Sequence, residues 1–506
     1  MTSTFHGLET ARRGMFTQQV ALQTTGNNIS NANTPGYSRQ RVNFSQTEAY
    51  PAAARNRPQI PGQMGTGVEA GSVQRVREGF LDTQFRGENN KLGFWNSRSE
   101  ALEKMEDIMN EPSDNGLAKT MDRFWQSLQD LAVNPEDSGA RSVVRQRGLA
   151  VAETFNYLSN SLSSIQEDMK SQADLVSKEV NSYLTQIANI NQQIKEIEPH
   201  GYLPNNLYDE RDNLVDQLST LVNIKVTKEA NGGLALPMAE GSYSIELLNV
   251  SGNSFATPVK LIDSATNPQT INAVSINYDT TSKMAESITV SGSAPLSITD
   301  FSGGKLKGLL EAYGYEDGIN GSVKGIYPDM LNNLDEMALN FANKFNEVHK
   351  AGTGLDGNTN YSFFDLTGTS GAAKSIKLHT DTNNLDHIAA AKSSFNGDGS
   401  NALALADVKN TDLAFTGGTA TLQSFYEGAI GKMAIDAQQA VRLTDNSAVL
   451  SDAVEQRRTS VSGVSLDEEM TNMIQYQHAY NASARNITVV DEMLDKIING
   501  MGVGGR

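Results

Sequence analysis

Hydrophobic side chains near both ends of the sequence recur at alternating steps of three and four residues. The N-terminal stripe consists of Phe5, Leu8, Arg12, Met15, Gln19, Leu22, Gly26 and Ile29. The C-terminal stripe consists of Leu466, Met470, Met473, Gln477, Tyr480, Ala484 and Ile487, and Val490, Leu494 and Ile497 continue it after one irregular step. This spacing places each stripe on one face of a helix that requires a partner helix. We therefore predict that the terminal helices pair with each other and with other copies of the chain.

Such a stripe is often an ordinary core-facing helix, but two features favour an assembly seam. The stripes lie at the extreme termini, where most chains fray, and several of their positions are polar or small. Residues 1–44 hold four Arg and one Glu, net +3, whereas residues 464–506 hold three basic and six acidic groups, net −3. Exposed pairs add little energy, so these charges favour orientation and register. The predicted seam is Leu8, Met15, Leu22, Ile29, Leu466, Met470, Met473, Tyr480, Ile487 and Leu494.

The pattern between the termini predicts a mainly α fold with β insertions, elongated and built from several domains. The longest helical signal covers 155–197 and would span about 65 Å. Helices are also predicted at 79–131, with a break near Pro112, at 305–350, and from 422 to the end. Alternating strands at 226–300 indicate a small β domain, and 351–417 is mixed. The predicted domains are 1–44 with 464–506, a terminal coiled-coil domain; 45–225 with 301–463, a helical rod domain; and 226–300, an inserted outer β domain.

Composition argues against most kinds of chemical site. The net charge is −18 and the sequence has no basic run, which argues against nucleic acid as a partner. No apolar run approaches the length of a membrane span, so no membrane insertion is expected. The six histidines lack metal-ligand spacing, and the run Asp356–Asn360 has Tyr361 and Thr367 where a calcium loop needs Gly and Glu. The glycine pairs at 65–67 and 303–304 lack the phosphate-loop Lys. We predict no catalytic residue, no metal and no cofactor.

The absence of cysteine excludes a disulfide scaffold and a Cys-ligated zinc site. It fits a chain that happens not to use cysteine and, equally, a chain that crosses compartments unfolded and must not cross-link. Residues 1–25 have no continuous apolar region or cleavage site of a secretory signal. A cleaved signal peptide is therefore not expected, although export by another pathway stays open.

The N-terminal helix is predicted to stop in a signature turn. Pro35 presets the backbone for the second position of a type II turn, and Gly36 supplies the positive φ of the third. We expect this turn to set where the chain leaves the terminal helix pair. Its residues are Asn31, Asn33, Thr34, Pro35, Gly36 and Tyr37.

The stretch Gly26–Gln40, which contains this turn, resembles the N-terminal signature of bacterial flagellar axial proteins. The run from Arg458 through Ser462-Gly463-Val464-Ser465-Leu466-Asp467-Glu468-Glu469 is more discriminating and resembles the hook-associated protein 1 family. Further segments that resemble that family are Gly65–Arg77 leading into Phe80-Leu81, Tyr208–Leu221, and Gly303–Leu310 with its helix to His349.

The resemblance implies a structural protein at the hook–filament junction of the flagellum. Members of the family are exported unfolded by the flagellar type III apparatus, without a cleaved signal, and assemble into a ring. The implied partners are copies of the chain itself, the hook protein, the filament-side junction protein, and an export chaperone at the C-terminal helix. Two alternatives stay open: a hook or rod subunit, and a secreted enzyme or adhesin whose site lies in 226–300 or 351–417.

Overall fold

The computed structural model describes residues 5–51, 54–55, 62–109, 111, 113, 116–317, 322–368, 370–395 and 397–500. The predicted break near Pro112 lies at a residue outside these ranges. Helices make up most of the described chain: α1 (Phe5–Ser30), α2 (Gly79–Met109), α3 (Leu117–Val133), α4 (Ser138–Ile197), α5 (Asn205–Leu221), α6 (Gly304–Tyr313), α7 (Ile326–Ala351), α8 (Ala372–Ser375), α9 (Ser400–Ala406), α10 (Leu422–Ser462) and α11 (Leu466–Asp495).

The strands form small sheets between these helices. Three two-stranded antiparallel sheets are β1 (Gln40–Gln46) with β2 (Val68–Arg75), β12 (Phe364–Asp365) with β13 (Lys377–Leu378), and β14 (Leu413–Phe415) with β15 (Gly418–Ala420). A four-stranded sheet has the order β3 (Ile224–Glu229), β4 (Ser242–Leu248), β5 (Ser254–Asp263) and β6 (Thr270–Ile271). The remaining sheet contains β7 (Val274–Tyr278), β8 (Ala285–Val290), β9 (Leu296–Ser297), β10 (Tyr315–Asp317) and β11 (Ser322–Lys324). The prediction of a mainly α fold with β insertions is confirmed.

Helix α4 is longer than the sequence pattern predicted, and it begins at Ser138 instead of Phe155. Asp137 caps its N-terminus, because the carboxylate accepts hydrogen bonds from the backbone N–H groups of Gly139 and Ala140. With 60 residues it spans about 90 Å. Its first turns contain Arg141, whose buried guanidinium donates to backbone carbonyl groups and interrupts the apolar stripe. It is the longest helix in the described part of the chain.

The predicted helix 305–350 is interrupted. The structure replaces its middle with β10 and β11, between α6 and α7. Gly314 (φ +121°) and Gly325 (φ +147°) adopt backbone conformations that other residues rarely adopt, so the helix stops at Tyr313 and restarts after Gly325. The inserted hairpin extends the sheet of β7 and β8. The β material of the middle region therefore continues past residue 300.

Polar contacts as well as apolar packing hold the β insertion against α4. Asn181 of α4 donates from Nδ2 to the carbonyl oxygen of Val274 at 2.8 Å, and Ser177 donates to the same oxygen at 3.0 Å. Farther along α4, Asn191 donates to the carbonyl oxygen of Tyr243 at 2.9 Å. Both sheets are thus held against one helix, with their other faces turned away from it.

A second part of the core is aromatic and joins α3, α7 and the strand β12. Its rings are fully or almost fully buried and contact one another at centroid distances of 4.9–6.2 Å: Phe124, Phe341, Phe345, Phe363 and Phe364. His349 lies at the edge of this cluster and is fully buried. Its Nδ1 donates to the carbonyl oxygen of Tyr361 at 2.8 Å, and its Nε2 accepts from the N–H of Ala389 at 3.1 Å. This arrangement requires the neutral ring.

We expect the imidazole of His349 to make folding stability depend on pH between 6.5 and 4. Burial lowers the pKa of His349 to about 4, although the carbonyl group of Tyr361 opposes the shift. The unfolded chain binds the proton first, so stability is complete above pH 6.5 and falls as the pH drops toward 4. The loss between pH 7 and 5 is about 2 kcal/mol. Chemical denaturation at several pH values measures it.

The control separates this ring from the other titrating groups. In His349→Gln the pH-dependent loss should shrink by that amount, whereas in His200→Gln, whose side chain is exposed, it should be unchanged. Equal pH dependence in wild type and His349→Gln would contradict a neutral buried ring.

Candidate assembly site

Helices α1 and α11 pair antiparallel along their length. Gly7 lies opposite Val490, Gly14 lies opposite Ser483, and the side chain of Asn28 donates to Glu469 at 3.0 Å. These contacts are spaced by multiples of seven residues on both helices, so one register holds throughout. A Cβ atom at Gly14 would lie 3.2 Å from the hydroxyl oxygen of Ser483, which shows how closely the helices approach. The predicted pairing of the two ends occurs within a single chain.

The buried face of α1 is made of small side chains instead of the large stripe. Its buried residues are Ala11, Thr17, Ala21, Thr25 and Asn28. In α11 the buried residue is Glu469, and the remainder of the helix is partly or fully exposed. Small residues permit the close helix–helix approach seen at Gly14 and Ser483.

None of the ten predicted seam residues is fully buried in the single chain. Eight of them are partly buried: Leu8, Met15, Leu22, Ile29, Met473, Tyr480, Ile487 and Leu494. Leu466 and Met470, in the first turns of α11, are 48% and 56% exposed. Their role as contacts between copies stays a prediction.

The β1–β2 hairpin packs across this helix pair. Thr17 of α1 donates to the carbonyl oxygen of Val68 at 3.1 Å, and the ring of Phe44 contacts that of Tyr476 edge-on at 5.9 Å between centroids. We call α1, β1, β2 and α11 the terminal unit. With the hairpin included, this unit contains residues up to Arg75.

The signature turn adopts the backbone geometry that Pro35 and Gly36 predict. The N–H of Tyr37 donates to the carbonyl oxygen of Thr34 at 3.2 Å, and φ of Gly36 is +79°. The hydroxyl group of Tyr37 donates to Asn28 at 2.8 Å. Burial, with smaller contributions from nearby carboxylates, raises the pKa of Tyr37 to about 12, so the phenol stays protonated and keeps this bond.

Arg39 connects the turn to the start of α11. Its side chain contacts Glu468 at 2.6 Å and Glu469 at 2.8 Å, and its backbone N–H donates to the carbonyl oxygen of Ser462 at 2.8 Å. Glu469 also accepts from Asn28, so one buried carboxylate joins the two terminal segments. The opposite net charges of the termini were the sequence signal for such pairing, but they did not identify these residues.

A buried ion-pair cluster lies beneath the terminal unit, and sequence reasoning missed it. Its acidic groups come from α2, α5 and the loop before β4, and its arginines come from β2, the segment after β2, α2, α5 and α10. The cluster consists of Arg75, Arg77, Arg86, Arg211, Arg458, Asp82, Asp209, Asp212, Asp216 and Glu240. Burial by itself raises the pKa of Asp212, but Arg77, Arg75, Arg86 and Arg211 together lower it well below its usual range.

The other candidate chemistry identified in the sequence forms local structure. The carboxylate of Asp356 accepts hydrogen bonds from the backbone and side chain of Asn358 and from the hydroxyl group of Tyr361, which closes a turn around it. Throughout the described part of the chain, no three His, Asp or Glu side chains are grouped so that they could hold a metal ion. Nor is any helix in those ranges long and apolar enough to cross a membrane.

Family models match three parts of the chain. The model described as "Flagellar hook-associated protein FlgK helical domain" matches residues 102–364. The model "Flagellar basal body rod FlgEFG protein C-terminal" matches 455–500, and "Flagella basal body rod protein" matches 8–37. The terminal matches cover α11 and α1 with its signature turn. The central match covers α4, α5 and both sheets of the β insertion.

The known proteins that this chain resembles are also flagellar hook-associated proteins. Flagellar hook-associated protein 1 of Bacillus subtilis is 45% identical over 513 aligned positions, which cover 100% of both chains. That of Salmonella typhimurium is 28% identical over 70% of this chain and 58% of its own length. The solved flagellar hook junction protein FlgK of Burkholderia pseudomallei has a similar fold, with a TM-score of 0.61, 16% identity, and coverage of 75% of this chain and 100% of its own.

These relatives are named as structural flagellar proteins, and the rod-type matches at both termini associate the chain with the axial proteins of the flagellum. The resemblance drawn from the terminal motifs is therefore confirmed. The chain belongs to the flagellar hook-associated protein 1 family, and it is a structural component of the bacterial flagellum.

Proposed function

We propose that this protein forms the junction between hook and filament by self-assembly, after export through the flagellar type III apparatus. The observation that carries the proposal is the terminal unit, a close helix pair that leaves apolar side chains uncovered. On α11, Ile474 is 55% exposed, Val489 46% and Met493 58%. On α1, Phe16 is 51% exposed. Rows of exposed apolar side chains on paired helices are typical of surfaces that bind other subunits.

The proposed partners follow from this arrangement. Copies of the same chain would cover the exposed faces of α1 and α11 and form a ring, and the hook protein and the filament-side junction protein would contact its two sides. Before assembly the apolar face of α11 needs protection, which makes it the proposed site for an export chaperone. The extracellular location without a cleaved signal belongs to the same proposal, and no catalytic residue or cofactor is part of it.

We expect cells that lack this protein to assemble hooks that carry no filament. Electron microscopy of a deletion strain measures this, and labelled antibody against the protein should bind where hook and filament meet in the wild type. A strain without hooks would contradict the proposal and favour a hook or rod subunit. As a control, expression of the intact chain from a plasmid should restore the filaments.

The β insertion offers a test of the alternative in which the function is enzymatic or adhesive. A chain without residues 226–300 should still support filament attachment if the insertion only decorates the surface. If the deletion variant reaches the flagellum but no longer supports filament attachment, the insertion does more than decorate the surface.

A further inference from the structure

Helix α10 has a long outer face that the single chain leaves uncovered. Its buried residues, such as Met433 and Ala440, face α2, the helix against which α10 mainly packs. On the opposite side Ile435 is 67% exposed and Val449 is 68% exposed, and the two lie about four helical turns apart. A Cβ atom added at Gly431, one turn before Ile435, would meet no atom within 4 Å. An apolar stripe beside a glycine gap suits contact with another helix.

Helix α4 has an apolar stripe on its own outer face. Tyr157 is 63% exposed and Leu175 is 64% exposed, and they lie about five helical turns apart, so both are on the same side of the helix. Between them, Ser164 and Ser171 are also exposed. Helices α2 and α7 each contact both α4 and α10 and separate them. The two stripes therefore belong to different faces of the molecule.

Helices α4 and α10 run toward the same end of the molecule. Glu198, which follows α4, accepts a hydrogen bond from Tyr208 of α5. Arg458, near the end of α10, pairs with Asp216 of the same helix α5. Rotation about a ring axis that runs along these helices keeps their common direction. An α10 that meets the α4 of the next copy in such a ring therefore packs parallel to it.

The two stripes also lie at the same level of the molecule. Gln166, midway along the α4 stripe, donates to the carbonyl oxygen of Tyr313 at 2.7 Å. Arg98 of α2 contacts Glu311, half a turn before Tyr313 on α6, at 3.2 Å. Arg98 in turn lines a groove together with Met433, at the start of the α10 stripe. Rotation without a large lengthwise shift is therefore enough to bring the α10 of one copy to the α4 of the next.

One parallel register matches both stripes. Placing Tyr157 opposite Gly431 also places Leu175 opposite Val449, because the two members of each stripe are separated by the same five turns. The ring of Tyr157 then occupies the space beside Gly431, and the two aliphatic side chains meet each other. Large side chains placed against small ones are what close helix packing requires.

Charge favours the same register. It places Asp168 of α4 opposite Arg442 of α10, and both side chains are exposed in the single chain. The antiparallel alternative, with Tyr157 opposite Val449, places Asp168 opposite the uncharged Gln438. Opposite charges across an interface fix register and exclude wrong pairings more than they add affinity. The charges therefore distinguish the parallel arrangement from the antiparallel one.

The size of the α10 face fits a second copy as its partner. With 41 residues the helix spans about 60 Å, and a contact strip about 10 Å wide along it buries about 600 Å² per copy. Specific protein complexes bury about 800 Å² per partner. The contacts proposed for the terminal helices would supply the remainder.

We propose that the outer face of α10 in one copy packs parallel against the outer face of α4 in the next, with Tyr157 at Gly431 and Leu175 at Val449. This inference rests on the proposed function, because a ring joins two different faces of the same chain at every contact. It adds a specific contact, between named helices in a stated direction and register, to the self-assembly proposed above.

The absence of cysteine allows the contact to be tested by disulfide cross-linking in assembled flagella. Two single-cysteine variants with different epitope tags are expressed together in a strain that lacks the wild-type gene, so a mixed dimer forms only between neighbouring copies. The matched pairs are Tyr157→Cys with Gly431→Cys and Leu175→Cys with Val449→Cys. The swapped pairs, Tyr157→Cys with Val449→Cys and Leu175→Cys with Gly431→Cys, are the controls, because each is displaced by about 27 Å along the helix.

We expect mixed dimers on non-reducing gels with both matched pairs and their loss with both swapped pairs. Dimers with the swapped pairs alone would overturn the proposal, because they require antiparallel packing. Dimers between copies of one variant would overturn it too, because they indicate a symmetric contact. If Tyr157→Cys prevents assembly, Leu175→Cys with Val449→Cys tests the same register.

The same flagella separate this inference from the proposed function. Antibody against each tag shows whether the variants are present where hook and filament meet. Filaments attached in the presence of both variants, without any mixed dimer, would refute the contact between α4 and α10 and leave the junction function intact. Absence of the wild-type chain from the junction would instead refute the proposed function, and this contact with it.

Discussion

Asp212→Asn is expected to lower the free energy of unfolding by about 3–5 kcal/mol. Asp212 is the most enclosed carboxylate of the ion-pair cluster, with a side chain that is 2% exposed. It lies 3.0 Å from Arg75, 3.5 Å from Arg77 and 3.2 Å from Arg86, and it accepts a hydrogen bond from the hydroxyl group of Tyr243 at 3.0 Å. The amide removes a negative charge that three guanidinium groups share.

The size of the effect follows from what remains after the substitution. Guanidinium groups do not lose their protons at ordinary pH, so the excess positive charge stays buried. The carboxylates that remain, including those of Asp209 and Asp216, already have arginine partners at 2.7 Å. Breaking a buried ion pair by removing one member is costly for this reason, whereas an exposed pair contributes little.

Urea denaturation followed by circular dichroism measures this loss. Asp452→Asn, an exposed position on α10, is the matched control and should change the stability by less than about 0.5 kcal/mol. Equal denaturation midpoints for the two variants would show that the cluster does not need the charge of Asp212.

The sequence pattern predicted the terminal helices because their periodicity is local. It did not predict which face of α1 would be buried, because the periodic signal comes from large side chains whereas the buried residues include Ala11, Thr17, Ala21 and Thr25. Small side chains carry little hydrophobic signal, yet they decide how closely two helices approach. The residues of the large stripe on α1 are partly or fully exposed in the single chain.

The ion-pair cluster could not be predicted from spacing alone, because Arg75 and Asp212 are brought together by the fold. A local signal did exist in α5. Asp209, Asp212 and Asp216 recur at steps of three and four, so they lie on one helical face beside the buried side chains of Tyr208 and Val215. An acidic stripe next to an apolar one indicates buried partners, but their identity depends on tertiary structure.

Leu22→Asp is expected to abolish filament attachment while leaving the isolated chain folded. In the single chain, Leu22 is partly exposed beside the buried Ala21, so a carboxylate there stays in contact with water. In the assembly we propose, the same position is covered by a neighbouring copy and the charge loses its hydration. A cost of about 3 kcal/mol per contact weakens association about 150-fold. Every copy in a ring makes the same contact, so the penalty recurs around the ring.

The matched control is Gln23→Asp, one residue away on an exposed face of α1. It adds the same charge to the same helix without replacing an apolar side chain of the predicted seam. Filaments in a strain that carries each variant in place of the wild type are counted by electron microscopy, and circular dichroism of each purified chain checks folding. Normal filaments with Leu22→Asp would contradict the seam, and equal loss with Gln23→Asp would show that charge anywhere on α1 is enough. Only a loss confined to Leu22→Asp distinguishes a specific apolar contact between copies from a general effect on the helix.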